Sequence, residues 1–149
     1  MSAAPPTCLF CRVARGDAPA ARVLDTKTVM AFLDHRPLFP GHSLLIPRQH
    51  YPTLMDCPPE ALGPLFANAT LLCRAMEDVL QAAGSFVALN NRVSQSVPHL
   101  HIHVVPRRPK DGLRGFFWPR GKYRDAAEME SVRATLHAYL VGQASSPAH

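Results

Sequence analysis

The chain has 149 residues, 47% apolar and 18% charged, which predicts one domain, 1–149, and excludes a disordered chain. Roughly 70% of the unfolded surface is buried by a chain of this size, so its core needs no disulfide staples. Fifteen prolines punctuate it too often for a long-helix bundle, and sixteen Lys and Arg against eleven Asp and Glu give +5, a sum whose distribution decides its meaning.

Residues 1–6 read as a loose end. The opening Met-Ser-Ala-Ala-Pro-Pro-Thr has neither the charged nor the apolar region of a secretory leader, which points to the cytoplasm. No apolar run approaches the ~20 residues that span a bilayer, so no membrane association is expected. Of the four cysteines, Cys8 and Cys11 form a Cys-x-x-Cys pair. Without a leader, a metal or redox role suits that pair better than a disulfide. Arg22–Asp25, Thr28–Asp34 and His42–Pro47 read as strands, the last two separated by a turn from Pro37 to Gly41. From Pro59 to Ala83 apolar residues recur at i, i+3, i+4, which predicts a long helix that Gly84 stops. Cys73 falls inside that apolar stripe and reads as core.

A strand is expected over Phe86–Asn90, a loop over Asn91–Pro98 and another strand over His99–Val105. Residues 107–124 then carry seven bases and one acid, leaving nine bases against ten acids elsewhere. Charge gathered in one Gly- and Pro-punctuated loop fits a small anionic ligand, whose phosphates Arg107, Arg108 and Lys110 would hold, rather than a nucleic acid. A final helix is expected over 125–141, capped by Asp125 with Glu128 three residues on; 143–149 is a second loose end. Short strands flanking a long helix give an α+β class.

The chemistry concentrates in Pro98-His-Leu-His-Ile-His-Val-Val105. Alternate strand residues share a face, so His99, His101 and His103 line one side while Leu100, Ile102 and Val104 supply the core. Imidazoles ~7 Å apart cannot all be charged comfortably, so at least one stays neutral near pH 7. A neutral imidazole is the state needed for a metal ligand or for a nucleophile acting on an anionic substrate, and the spacing leaves both open.

His99-Leu-His-Ile-His-Val-Val105 resembles the histidine-triad (HIT) motif, His-φ-His-φ-His-φ-φ with φ apolar. Gln95-Ser96-Val97 before it, Phe32-Leu-Asp34, Pro40-Gly-His-Ser-Leu-Leu-Ile-Pro47 and the opening Cys8-Leu-Phe-Cys11 resemble further family segments, the last found in many bacterial members. The resemblance spans about 8–106. It implies a HIT-like fold: an antiparallel sheet of about five strands with one long helix and a C-terminal helix.

It also implies an enzyme, a nucleotide hydrolase or transferase acting at the α-phosphate of a purine nucleotide. His101 would be the nucleophile that forms a nucleotidyl-histidine intermediate, its other ring nitrogen held by a backbone carbonyl. His103 would contact the α-phosphate, Gln95 and Ser96 would bond phosphate or leaving group, and His42 would steady the cluster. Asp34 would accept from the ribose hydroxyls, with Phe10, Val13, Phe32 and His35 around the base. Asn90 resembles the family's phosphate-side asparagine, with Asn91 its rival. Ser94 stands where the family usually has Gly, a position whose φ > 0 conformation costs Ser energy.

In zinc-bearing relatives the remaining ligands come from a Pro-x-x-His motif and the first triad histidine, so the resemblance implies structural zinc on Cys8, Cys11, His50 and His99. A homodimer built on the long helix and its adjacent strand is also implied, and Trp118 would reach toward an active site as a C-terminal tryptophan does in part of the family. Nucleoside phosphoramidates or aminoacyl-adenylates compete with dinucleoside polyphosphates as substrates. Two other readings stand beside this one. The first is a hydrolase with catalytic zinc on His99, His101 and His103; the second is a nucleotide-binding regulator without turnover.

Overall fold

Apolar runs of four or five residues bounded by Pro, Gly and Asp cannot extend into helices, and here they assemble into one sheet. The computed structural model describes residues 5, 7–113 and 121–144. It divides into two compact units, Met1–Asp111 and Gly112–His149. The first contains α1 (Leu9–Arg15), β1 (Arg22–Asp25), β2 (Val29–Leu33), β3 (Ser43–Pro47), a 3-10 turn (Leu54–Asp56), α2 (Pro59–Leu80), β4 (Gly84–Ala88) and β5 (Ile102–Arg107). The strands form a five-stranded antiparallel sheet in the order β1-β2-β3-β5-β4.

Both faces of the central strands are covered, which is why β2 and β3 read as continuous apolar runs instead of alternating ones. Val29, Ala31, Leu45, Ile102 and Val104 pack with Leu65, Ala69, Leu72 and Met76 of α2. Met30, Phe32, Leu44 and Ile46, one residue out of step, pack with Cys8, Phe10, Cys11 and Val13 at α1. A one-residue register slip would exchange the two sets, so the pairing Val29↔Pro47 through Leu33↔Ser43 is strongly specified.

Several boundaries differ from the sequence expectation, three of them with a clear physical cause. Helix α2 ends at Leu80, not Ala83: Gln81 takes the left-handed conformation (φ 55°) and the Arg108 guanidinium donates to the Leu80 carbonyl at 2.5 Å. That donor and the Gln81 N–H, which bonds the Met76 carbonyl, satisfy the end carbonyls without a glycine stop, and Gly84 instead opens β4. Strand β4 ends at Ala88, opposite His103, because Asn90 turns into the loop and donates from Nδ2 to the Ser94 carbonyl at 3.2 Å. Strand β5 begins at Ile102, so His99 and His101 lie on its approach. The Leu100 N–H donates to the Tyr51 carbonyl at 2.6 Å, which takes that segment off the β3 ladder.

Gly41 (φ 101°) holds a backbone conformation that L side chains rarely adopt, and a Cβ there would also displace the Leu80 side chain, 2.6 Å away, and press on Pro106 at 3.3 Å. In the second unit α3 runs over Ala126–Ala144. Asp125 Oδ1 accepts the Glu128 N–H at 2.8 Å as expected of a cap, while the Glu128 carboxylate takes the N–H of Arg124 at 2.6 Å. Among the described residues no helix is long and apolar enough to cross a membrane.

Candidate active site and metal centre

Two clusters form around the histidines. The first joins segments far apart in sequence: Cys8 and Cys11 at the start of α1, His50 just after β3 and His99 on the approach to β5. Cys8 is the N-cap of α1, its Sγ accepting the Cys11 N–H at 3.5 Å, so the cap itself presents sulfur to the cluster. His99 Nε2 lies 2.8 Å from the Pro47 carbonyl. A carbonyl only accepts, so that nitrogen carries the proton and Nδ1 is left as a lone pair. Nδ1 faces Cys8 Sγ at 3.5 Å, Cys11 Sγ at 3.4 Å and His50 Nδ1 at 3.3 Å.

All four residues are buried, and their ligand atoms lie within 4.8 Å of one another. Burial pushes His99 down to about 4, which keeps it neutral, and lowers His50. Burial and the neighbouring Cys8 thiol raise Cys11 to about 11. Two thiols and two neutral imidazoles, one oriented by a carbonyl behind it, match the donor set and outer-shell bond of a tetrahedral zinc site.

The second cluster lies next to the first along the chain. His101 Nδ1 is 2.7 Å from the His99 carbonyl and must donate to it, which leaves Nε2 as a lone pair. Phe10 stands edge-on to the His101 ring at 5.2 Å and to Phe32 at 5.3 Å. His103, in β5, has its ring centroid 5.1 Å from that of His101. His42, just before β3, reaches across with Nε2 2.9 Å from His103 Nδ1. Its own Nδ1 receives the Leu38 N–H at 3.1 Å, and Asp34 Oδ2 is 3.7 Å from its Nε2. Burial lowers His42 and takes His103 down to about 4, so the pair is neutral at pH 7.

His99, His101 and His103 do not converge on one point. The groups of described residues able to share an ion are Cys8, Cys11, His50 and His99, and separately Asp34, His42 and His103. His99 thus serves the first cluster with its side chain and the second with its carbonyl.

Other expected site residues are placed unevenly. Phe10, Val13 and Phe32 are buried together at α1, and Phe10 braces the His101 ring. His35 is exposed beside Asp34, whose Oδ1 is tied to the Arg36 N–H at 2.9 Å. Asn91 braces the 3-10 turn by accepting the Leu54 N–H at 2.9 Å, while Asn90 stays at the end of β4. Gln95 donates to the Pro52 carbonyl at 2.6 Å and accepts the Arg92 N–H at 2.8 Å, so its amide shapes the loop. Ser96 is exposed.

Arg107 is at the far end of β5, four residues or ~13 Å along the strand from His103, in a two-bond pair with Asp111 at 2.6 and 3.0 Å. That pairing, with the Arg108 bond to Leu80, gives two of the seven local bases structural partners. Trp118, with Phe116 and Phe117, lies outside the described residues. Sequence reasoning missed the Leu38 amide, for which no side-chain signal exists. It also missed the turn at Thr53, whose Thr-x-x-Asp pattern with Asp56 was a readable cap.

Paired histidines on an antiparallel sheet, beside a Cys2His2 cluster, define a histidine-triad domain. Residues 15–110 match the HIT domain, and the chain belongs to that family. It is 34% identical over 139 residues to the adenosine 5'-monophosphoramidase HNT1 of Saccharomyces cerevisiae, covering 91% of this chain and 84% of that one. It is 33% identical over 108 residues to the adenylylsulfatase HINT3 of Arabidopsis thaliana, covering 71% of this chain and 55%, about half, of that longer protein. A Zn-bound histidine triad family protein of Mycobacterium smegmatis superposes with a TM-score of 0.70 at 35% identity, covering 89% of this chain and 97% of its own. The two named relatives are thus a monophosphoramidase and an adenylylsulfatase, both carrying the HIT domain that this chain shares.

Proposed function

We propose that the protein transfers the nucleotidyl group of a small purine nucleotide to His101 and then to water. The carrying observation is the 2.7 Å bond from His101 Nδ1 to the His99 carbonyl, which leaves Nε2 as the lone pair. That lone pair attacks the α-phosphorus, the bond to the leaving group breaks, and the leaving group departs with its electron pair. Water then attacks the same phosphorus, the P–N bond breaks, and its electrons return to Nε2. His103 contacts the α-phosphate from its place beside His101, and His42 holds His103. Preorganised donors of this kind supply much of the acceleration in phosphoryl-type transfer.

Asp34 binds the ribose, Phe10, Val13, Phe32 and His35 border the base, and Asn90, Gln95 and Ser96 border the phosphate side, following the family resemblance. Zinc, held by Cys8, Cys11, His50 and His99, supplies a structural cross-link. Substrates are nucleoside phosphoramidates or sulfo-adenylates, as the relatives' names suggest, or, following the family resemblance, aminoacyl-adenylates or dinucleoside polyphosphates. The protein works in the cytoplasm as a homodimer, consistent with the exposed Phe66 and Val79 of α2 and Val87 of β4. Light scattering is expected to give twice the 16.4 kDa chain mass.

Brief exposure to adenosine 5'-phosphoramidate followed by acid-free mass analysis tests the reading. An AMP adduct on His101 is expected, absent in His101→Ala, whose turnover drops by at least about a thousandfold. Full turnover by His101→Ala would defeat the proposal.

A further inference from the structure

We infer that the backbone N–H of Leu38, acting through His42, fixes which nitrogen of His103 carries its proton and makes His103 a hydrogen-bond donor beside the nucleophile. This deepens the nucleotidyl-transfer reading and rests on it for its catalytic meaning.

The assignment follows from counting protons along one line. A backbone amide only donates, so the Leu38 N–H, 3.1 Å from His42 Nδ1, requires a lone pair there. A neutral His42 then carries its proton on Nε2. The Asp34 carboxylate, 3.7 Å from that nitrogen, favours the same placement. Only one proton can lie between His42 Nε2 and His103 Nδ1, 2.9 Å apart, and His42 supplies it. His103 Nδ1 is therefore an acceptor, and the ring's own proton is on Nε2. His101 has the opposite arrangement, with its proton on Nδ1 and its lone pair on Nε2.

The two adjacent rings thus offer unlike groups, a lone pair from His101 and an N–H from His103. Phosphorus needs the first and an oxygen on it, or the leaving group, needs the second. With the reverse tautomer of His103, two N–H groups would meet head-on between His42 and His103. His42 could avoid this only by turning an N–H toward the Leu38 amide. A cation taken by His103 Nε2 would force that reversal, which weighs against a catalytic metal on this ring.

The lock is built into the turn between β2 and β3. The Asp34 N–H donates to the His42 carbonyl at 2.9 Å and the His42 N–H to the Phe39 carbonyl at 3.0 Å. Pro37 and Pro40 on either side of Leu38 restrict the backbone that aims its amide. Leu38 and His42 are positioning residues: they act on the reaction through His103.

Two-bond 1H–15N correlation NMR on the full chain with labelled histidine reads each tautomer at pH 7.5. Unprotonated Nδ1 with protonated Nε2 is expected for His42 and His103, and the reverse for His101. In His42→Ala, His103 is expected to become a mixture of tautomers while kcat falls about tenfold, roughly the worth of one hydrogen bond, and KM changes little. In His42→Gln, whose amide N–H can reach the Nε2 position, the His103 tautomer is retained and kcat partly recovers. A protonated Nδ1 on wild-type His103 overturns the inference, and so does an unchanged His103 tautomer in folded His42→Ala. The wild-type spectrum decides even if the variants fail to fold. Expected tautomers with no His101 adduct would instead defeat the nucleotidyl-transfer reading alone.

Discussion

Ser94 has φ 60°, in the left-handed region, and Arg92, two residues before it, has φ 67°. An L side chain in that region costs roughly 1–2 kcal/mol, and glycine avoids the cost while losing more chain entropy on folding. Ser94→Gly is therefore expected to stabilise the fold by about 0.5–1 kcal/mol, read as a higher urea midpoint with an unchanged slope. The Asn90 side chain already ties the Ser94 carbonyl, and Gln95 ties Arg92 to Pro52. These bonds hold the strained loop in place. An unchanged or lower midpoint would show that the serine carries compensating contacts of its own.

The Cys2His2 cluster takes its ligands from three elements: Cys8 and Cys11 from α1, His50 from the end of β3, and His99 from the approach to β5. A metal binding there joins parts of the chain up to 91 residues apart. Purified protein is expected to hold close to one zinc per chain, and prolonged chelation to lower its unfolding free energy. A site saturated at a hundred times its Kd contributes about 2.7 kcal/mol, which sets the scale of the loss. Cys11→Ser should reproduce both the missing zinc and the lower stability. Because the His99 carbonyl also orients His101, the metal-free protein should further show a disturbed His101 resonance. Zinc absent from unchelated protein would refute the assignment.

Across the whole molecule, stability depends on acid through the downshifted histidines, of which buried His42 and half-buried His103 lie outside the Cys2His2 cluster. His103 is depressed to about 4 and His42 is lowered in the same direction, burial being the leading cause for both. In the unfolded chain each titrates near 6.5. Between those values the unfolded state binds more protons than the folded one, so unfolding becomes easier as pH falls. Their contribution is complete above about pH 6.5 and is lost progressively from there toward pH 4. Each site adds a slope of at most about 1.4 kcal/mol per pH unit. Urea midpoints measured from pH 7.5 to 4 check this: His103→Asn should flatten the fall, and an equally steep fall in that variant would assign the effect elsewhere.

Much of the fold was legible in the linear pattern. Apolar runs marked β1, β2 and β3 to within a residue, i, i+3, i+4 spacing marked α2, and alternation around His103 marked β5. The Cys-x-x-Cys pair and the triad motif were readable because their chemistry needs those residue types at those spacings. Three things came only with tertiary contact. Long-range backbone bonds such as Leu100 to Tyr51 moved the strand ends. The Pro47 carbonyl decided which nitrogen of His99 faces the cysteines, and the turn after β5 paired Arg107 with Asp111. The proton positions on His42 and His103 depend on a backbone amide, which every residue but proline carries alike. The sequence by itself determined which side chains could do chemistry, whereas the tertiary structure decided which atom of each is a donor and which a lone pair.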